Sequence, residues 1–303
     1  MLYLTEAQVR QALPMDECIG LMRSVFDRLA AGEAINQPRR RLILPTRSVL
    51  HYMAGSDGRY FGAKIYASNP KHGATFLFLL YRAEDAAPLA IIEANALGQI
   101  RTGAASGLAT SLLARPDSHT LAIIGSGFQA RTQLEAMLAA APIEHIRVWS
   151  RSGEKSAAFA REASGLFGKP VEAVPSAEEA VRGADILVTA TNSADPVVDS
   201  AWVSPGAHIN AMGSNQARRR ELPADLVARA GLIVVDNVEQ SRMESGDLIL
   251  AFQEEDWQRV VELQDVVTGK HCRQNAEEIT LFKSNGLAVE DVIAAGWVYE
   301  RST

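Results

Sequence analysis

Cysteine is nearly missing: the chain has two, Cys18 and Cys272, among 303 residues. They stand far apart and make no metal or redox spacing, which excludes a disulfide scaffold and leaves two reduced thiols as the plain reading. A surplus of basic residues is lacking as well. The formal net charge is −6, which argues against a general binder of phosphate backbones, since that needs a basic face. The histidines, His51, His72, His119, His145, His208 and His271, are scattered without ligand spacing, so no metal site is expected. Long apolar runs are absent too. "TFLFLLY" and "LAIIEANALG" are too short to cross a bilayer. The first residues, "MLYLTEAQVRQAL", lack the basic-then-apolar pattern of a signal peptide. Thr5 and Gln8 instead form a capping box that opens a helix. The expectation is a cytoplasmic protein with no membrane segment, no internal repeat and no low-complexity stretch.

What the chain does have is length and apolar content for two domains, with 47% hydrophobic residues. Helical segments are predicted over roughly 5–13 and 14–31, the second with apolar positions at Ile19, Met22, Val25, Phe26 and Leu29. After Gly32 the pattern turns to short strands: "RRLILP", "VLHYMAG", "YFGAKIYAS", "TFLFLLYR" and "PLAIIEA". A small-residue helix, "GQIRTGAASGLATSLLA", follows and ends at Arg115-Pro116. From residue 118 apolar strands ("TLAIIG", "IRVWS", "ADILVTAT", "HINAMG", "LIVVD") alternate with helices, the pattern of a parallel sheet covered on both faces. A last helix carries Val289, Val292, Ile293, Gly296 and Trp297 at helical spacing, with Glu290 and Asp291 in its first turn.

The segment "LAIIGSGFQARTQLEAML" contains Gly125-Ser126-Gly127-Phe128-Gln129-Ala130, a G-x-G-x-x-A pattern fed by a strand and followed by a helix. That context marks a dinucleotide site. Gly125 permits the tight turn, Gly127 the approach of a pyrophosphate, and Ala130 close helix–sheet packing, with the first helical amides facing the diphosphate. The competing reading is a glycine-rich turn that holds no ligand. The second strand ends about 20 residues further on, where a carboxylate would bind the ribose hydroxyls of NAD. Here stand Ser150, Arg151 and Ser152, a forked cation between two hydroxyls, which suits a 2′-phosphate. NADPH is therefore expected over NADH, against the alternative of a solvent-facing arginine at a helix start.

Taken together, "QPRRRL", "FGAKIY", "HGAT", "IRTGAASGLAT", "IIGSGFQA", "PGAHINAMGS", "ESGDL" and "FKSNGLAVEDVIAA" resemble the ornithine cyclodeaminase/mu-crystallin family, which also holds archaeal-type alanine dehydrogenases and ketimine reductases. They run in family order from residue 37 to residue 295. The resemblance implies an α/β protein: a Rossmann-type doubly wound domain, 116–272, inserted in a mixed α+β substrate-binding and dimerisation domain, 1–115 with 273–303. It implies a homodimer acting on a small imino or amino acid. Arg40 matches the residue that grips the substrate carboxylate; in an extended strand it points opposite to Arg39 and Arg41, so one of the three can face inward. Lys64 matches the active-site lysine. On the residues alone it is either a partly buried acid or base or an edge-strand lysine that discourages aggregation. Thr75 matches a threonine near the nicotinamide. Arg101 matches a second arginine reaching both substrate and cofactor, although close helix packing also explains its segment. Thr191, Met212 and Ser284 match cofactor contacts. "ESGDL" matches the family without a physical role that the sequence reveals.

The main departure is Asn215, where cyclodeaminases and deaminating alanine dehydrogenases resemble one another in having an aspartate. Asparagine hydrogen-bonds but is no general base. Cyclodeamination needs a substrate ammonium deprotonated, whereas imine reduction adds hydride to a protonated C=N. The expected function is an NADPH-dependent reductase of small 2-imino carboxylates, such as pyrroline-2-carboxylate, piperideine-2-carboxylate or linear imines. Lys64 and Asn215 are its catalytic candidates. The alternatives are an NAD-dependent ornithine cyclodeaminase, an alanine dehydrogenase-like enzyme, and a non-catalytic NADPH-binding protein.

Overall fold

The computed structural model describes residues 1–303. In chain order its elements are β1 (Leu2–Leu4), α1 (Glu6–Ala12), α2 (Met15–Ala30), β2 (Ile35–Ile43), β3 (Val49–Ser56), β4 (Tyr60–Asn69), β5 (Gly73–Arg82), β6 (Pro88–Glu93) and α3 (Asn95–Leu113). There follow β7 (Thr120–Ile124), α4 (Phe128–Ala140), β8 (His145–Trp149), α5 (Gly153–Phe167), β9 (Val171–Ala173), α6 (Ala177–Val181), β10 (Ile186–Thr189), β11 (His208–Ala211) and α7 (Ala224–Arg229). The remainder is β12 (Leu232–Val235), α8 (Val238–Glu244), α9 (Gly246–Ile249), β13 (Val260–Glu262), α10 (Leu263–Val267), β14 (Thr280–Lys283) and α11 (Ala288–Glu300). The predicted capping box at Thr5 and Gln8 is present and opens α1. No helix is long and apolar enough to cross a membrane.

Two units form. The first is Met1–Ala104 with Gly286–Thr303, the second Ala105–Asn285. These limits differ from the expected 1–115 with 273–303, and the reason is a strand that the sequence reading missed. "TLFK" is β14, and it lies between β11 and β12 in parallel register, so the segment up to Asn285 belongs with the parallel sheet. The second half of α3 joins the same unit: Asn210 Nδ2 donates to Thr110 Oγ1 at 2.9 Å, and Arg273 Nε to the Leu113 carbonyl at 2.7 Å.

The first unit is built on a six-stranded sheet of order β1-β6-β5-β4-β3-β2. Its inner face packs on α11. Gly55 makes the close approach possible, because a Cβ there would meet the Val289 backbone nitrogen at 2.9 Å. Along the central strands one parity is covered (Met53, Phe78 and Leu80 are buried) while the other leaves Leu50, Tyr52 and Leu77 exposed, the period-two signature of a half-covered sheet.

The second unit is an eight-stranded sheet, β13-β12-β14-β11-β10-β7-β8-β9, in which every pairing is parallel. Strands β10, β11, β12 and β14 are buried at every residue, as expected where helices cover both faces. This is the doubly wound α/β architecture read from the alternating strands and helices.

Candidate active site

In the first unit the sequence places cations and carboxylates on the inner face and then buries them together. Lys64, on β4, directs Nζ to Asp291 Oδ1 at 2.9 Å. Arg101, on α3, donates from Nε to the same oxygen at 3.1 Å and from Nη1 to Glu290 Oε2 at 2.8 Å. Arg39, on β2, is 6% exposed and sends Nη2 toward the Gly286 carbonyl at 3.5 Å. Small residues make room. A Cβ on Gly98 would collide with Lys64 Nζ, and one on Gly286, which has φ +76°, would press on the Arg101 guanidinium.

Three cations against two carboxylates leave one net positive charge when all five are ionised. A buried surplus of this kind is satisfied by an anion, and a carboxylate fits a guanidinium bidentately. Burial, opposed by Asp291 and reinforced by Arg101, lowers the Lys64 ammonium to about 8. It thus carries its proton at neutral pH and releases it within reach of physiological conditions. Burial alone would raise the Asp291 carboxyl, but Arg101 and Lys64 outweigh it and hold the group below the ordinary carboxylate range.

Two expectations are corrected by strand parity. Arg40 is exposed. Its register partner is Tyr52 on the outer face, and it is Arg39 that packs inward beside Met53. Thr75 is also exposed and pairs with Ala67, so it alternates to the face opposite Lys64, whose partner is Phe78. Sequence reasoning missed Arg39, Glu290 and Asp291. Helix-start chemistry accounts for the "VED" carboxylates as dipole-favoured acids; the signal that points further is that two adjacent acids flanked by apolar residues on both sides have no solvent to face.

The second unit carries the dinucleotide motif. Gly125 has φ +116°, and a Cβ there would run into the Ala190 carbonyl. Helix α4 begins at Phe128 with Gly127 as its N-cap and no side-chain cap, so its first amides point past Gly127 unshielded. Phe128 is exposed, Gln129 half-buried and Ala130 buried. Ser126 Oγ donates to Ser150 Oγ at 2.9 Å, Ser150 Oγ donates to the Ser152 carbonyl at 3.0 Å, and Ser152 Oγ caps α5 by accepting from Lys155 N at 3.3 Å. The two hydroxyls therefore shape the turn, and Arg151 is exposed at its tip. This geometry fits a dinucleotide diphosphate.

The remaining candidates lie on loops at the carboxyl ends of the same strands, where doubly wound sheets bind ligands. Thr191 follows β10, Met212 and half-buried Asn215 follow β11, and Ser284 follows β14, its hydroxyl donating to Asp236 Oδ2 at 2.8 Å. A fully buried ionic network ties these loops. Glu221 accepts from Thr191 N at 2.6 Å and Gly213 N at 2.7 Å. Asp247 accepts from the backbone of Glu221 and Leu222 at 2.6 and 3.0 Å and lies 3.1 Å from Lys283 Nζ. Lys283 donates to the Ser214 carbonyl at 2.5 Å. "ESGDL" thereby gains a physical role: its aspartate fixes the loop after β11. Burial and the neighbouring Asp247 push the Glu221 carboxyl upward.

A model of the Ornithine cyclodeaminase/mu-crystallin family matches residues 1–303. A Delta(1)-pyrroline-2-carboxylate reductase of Bacillus cereus is 43% identical over 219 residues, 71% of this chain and 67% of that protein. The ketimine reductase mu-crystallin of Mus musculus is 37% identical over 234 residues, 76% of this chain and 70% of that one. Among solved structures, Thermococcus litoralis Delta(1)-pyrroline-2-carboxylate reductase, in complex with NADH and L-proline, superposes with a TM-score of 0.95 at 36% identity, over 100% of this chain and 97% of that chain.

Proposed function

The chain belongs to the ornithine cyclodeaminase/mu-crystallin family, and from that premise we propose that it is an oxidoreductase that reduces small 2-imino carboxylates to L-amino acids with a nicotinamide cofactor, NADPH ahead of NADH. The observation that carries this reading is the buried cluster of Arg39, Lys64 and Arg101, whose positive surplus is neutralised by one carboxylate. Pyrroline-2-carboxylate and piperideine-2-carboxylate, cyclic ketimines, are the substrates favoured; the names of the two similar reductases support that class.

Arg39 and Arg101 hold the substrate carboxylate, and Lys64, protonated at neutral pH, keeps the imine nitrogen protonated so that its carbon is electrophilic. A bound nicotinamide supplies the hydride that this carbon receives. Asp291 fixes the Lys64 ammonium by the 2.9 Å hydrogen bond. Gly125 to Ala130 receive the diphosphate, Arg151 the 2′-phosphate, and Thr191, Met212 and Ser284 line the cofactor's path; Asn215 serves as a hydrogen-bonding neighbour of the reaction rather than a base.

A homodimer is part of the proposal. The outer face of the six-stranded sheet exposes Leu42, Leu50, Tyr52 and Leu77, with Arg40 paired to Tyr52. An apolar face of this kind is what an obligate subunit contact covers. Neither cysteine is in a disulfide, in keeping with a reducing, cytoplasmic setting.

The test is oxidation of NADPH and of NADH with pyrroline-2-carboxylate, piperideine-2-carboxylate and pyruvate plus methylamine, beside ammonia release from ornithine. Reduction of a cyclic imine with NADPH preferred is expected. Ammonia release from ornithine without imine reduction would replace the reading with cyclodeamination.

A further inference from the structure

The edge of the parallel sheet that ends in the Gly125 turn carries a second device. Ile124, Thr189, Ala211 and Lys283 stand in one register row across β7, β10, β11 and β14. From Ile124 the chain enters the Gly125 turn. Further along the row, the buried side chains of Glu221, Asp247 and Lys283 hold the segments that leave β10 and β11. Lys283 Nζ donates to the Ala211 carbonyl at 3.2 Å and to the Ser214 carbonyl at 2.5 Å, so the turn between them bends round the ammonium. Glu221 accepts at Oε2 from Gly213 N at 2.7 Å and from Thr189 Oγ1 at 2.9 Å, and at Oε1 from Thr191 N at 2.6 Å. Asp247 joins the other two, accepting from Glu221 N and Leu222 N at Oδ1 and facing Lys283 from Oδ2. A Cβ on Gly213 would strike the Thr191 carbonyl and the Glu221 carboxylate, so the turn has no room to shift. Taking these charges out of water is costly, and a well-packed apolar cluster often stabilises as much. What the ionic groups add is direction, since each fixes a particular backbone N–H or carbonyl.

We propose that Glu221, Asp247 and Lys283 are positioning residues for the nicotinamide half of the coenzyme, acting through the segments of Thr191 and Met212 and separately from the Gly125 turn, which serves the adenosine half. The inference rests on the cofactor reading above and does not depend on which imine is reduced. A dinucleotide lies across the point where strand order reverses, one half on each side. In this sheet that point falls between β7 and β10, with β8 on one flank and β10, β11 and β14 on the other. The Gly125 turn and Arg151 follow β7 and β8, whereas the clasped segments follow β10 and β11. Hydride transfer needs donor and acceptor carbons in near-attack geometry, and a backbone clamped on both sides of its turn supplies a fixed seat for the donor.

The experiment is calorimetric titration of the parent, Glu221→Gln, Lys283→Met and the paired Lys283→Met/Asp247→Asn. Each is titrated with NADPH and its fragment adenosine 2′,5′-bisphosphate, and in parallel with NADH and ADP. Glutamine meets one of Thr191 N and Gly213 N with a donor instead of an acceptor, and methionine releases both carbonyls. Each variant should bind the intact coenzyme about tenfold more weakly, and the fragment within about a factor of two of the parent. The paired variant removes the carboxylate charge that Lys283→Met leaves buried, so it carries the test where the single variant does not fold. Equal weakening of coenzyme and fragment, or no weakening of either, overturns the clasp. A parent that reduces no imine, while its variants lose the intact coenzyme selectively, supports the clasp and removes the reductase reading. A parent that binds neither coenzyme removes the cofactor reading and the clasp with it.

Discussion

Lys64 and Arg101 converge on a single oxygen of one side chain, Asp291 Oδ1, at 2.9 and 3.1 Å. The carboxylate works in two directions at once. It holds two cations in place that would otherwise repel, and it opposes the loss of the lysine proton that burial promotes.

Replacing Asp291 with Asn removes that opposition. The Lys64 pKa, about 8 in the parent, should move lower, so the alkaline limb of the pH profile for kcat/KM shifts toward neutrality. Activity at pH 8 should drop roughly a hundredfold. A pH profile with an unmoved alkaline limb would separate Asp291 from the proton on Lys64. Two uncompensated buried cations should also lower the melting temperature.

Arg39 and Arg40 differ by one position and should differ in consequence. Arg39→Met removes a buried guanidinium beside Gly286, and KM for the imino carboxylate should rise by about two orders of magnitude. Arg40→Met should leave KM within about a factor of three and act, if at all, on the concentration dependence of assembly. Steady-state kinetics with both variants and sedimentation of Arg40→Met make the comparison; equal KM effects would contradict the strand parity.

Arg151→Asp places a carboxylate where the 2′-phosphate is proposed to sit. The ratio of kcat/KM for NADPH to that for NADH should fall at least tenfold. The melting temperature should be unchanged, since Arg151 is exposed. An unaltered ratio would assign cofactor choice elsewhere.

His208, buried on β11, makes an acid-sensitive contribution to stability. Burial, with Arg273 nearby, lowers its pKa to about 3, while an unfolded histidine takes its proton near 6.5. Between those values the unfolded chain binds the extra proton, so stability is present above about 6.5 and declines as pH falls toward 3. The urea midpoint should decrease between pH 7.5 and pH 5, and less steeply in His208→Gln. Parallel slopes in the two proteins would exclude the histidine as the cause.

Much of the fold was legible because its signals are local. The Gly125 turn, the strand before it and the helix after it are fixed within a few residues, and α4 and β7 fall where the motif implied. The apolar alternation of strand and helix gave the parallel sheet. What failed was long-range: "TLFK" has four residues and no neighbouring strand in sequence, and only its pairing with β11 and β12 makes it central. The site divides in the same way. Lys64 and Arg101 could be picked out by their segments, but Asp291 acquires its role from a hydrogen bond spanning 227 positions of chain. The resemblance points to Arg40 and the fold buries Arg39, because alternation says that neighbours face opposite ways without saying which way is in. The shift in register between Gln37 and Arg40 hides the phase further.

That irregularity has a consequence for how the edge of the sheet tolerates change. Sliding a strand by a single position turns every side chain over, which in most active sites would swap a charged group for a greasy one. With Arg39, Arg40 and Arg41 in succession, β2 can lose one residue ahead of the site and still deliver a guanidinium to the interior, Arg40 taking the place of Arg39, whereas a gain of one would bring Pro38 there. A one-residue deletion near Ala34 is therefore survivable here in a way that it would not be around Lys64, whose neighbours Ala63 and Ile65 offer no substitute.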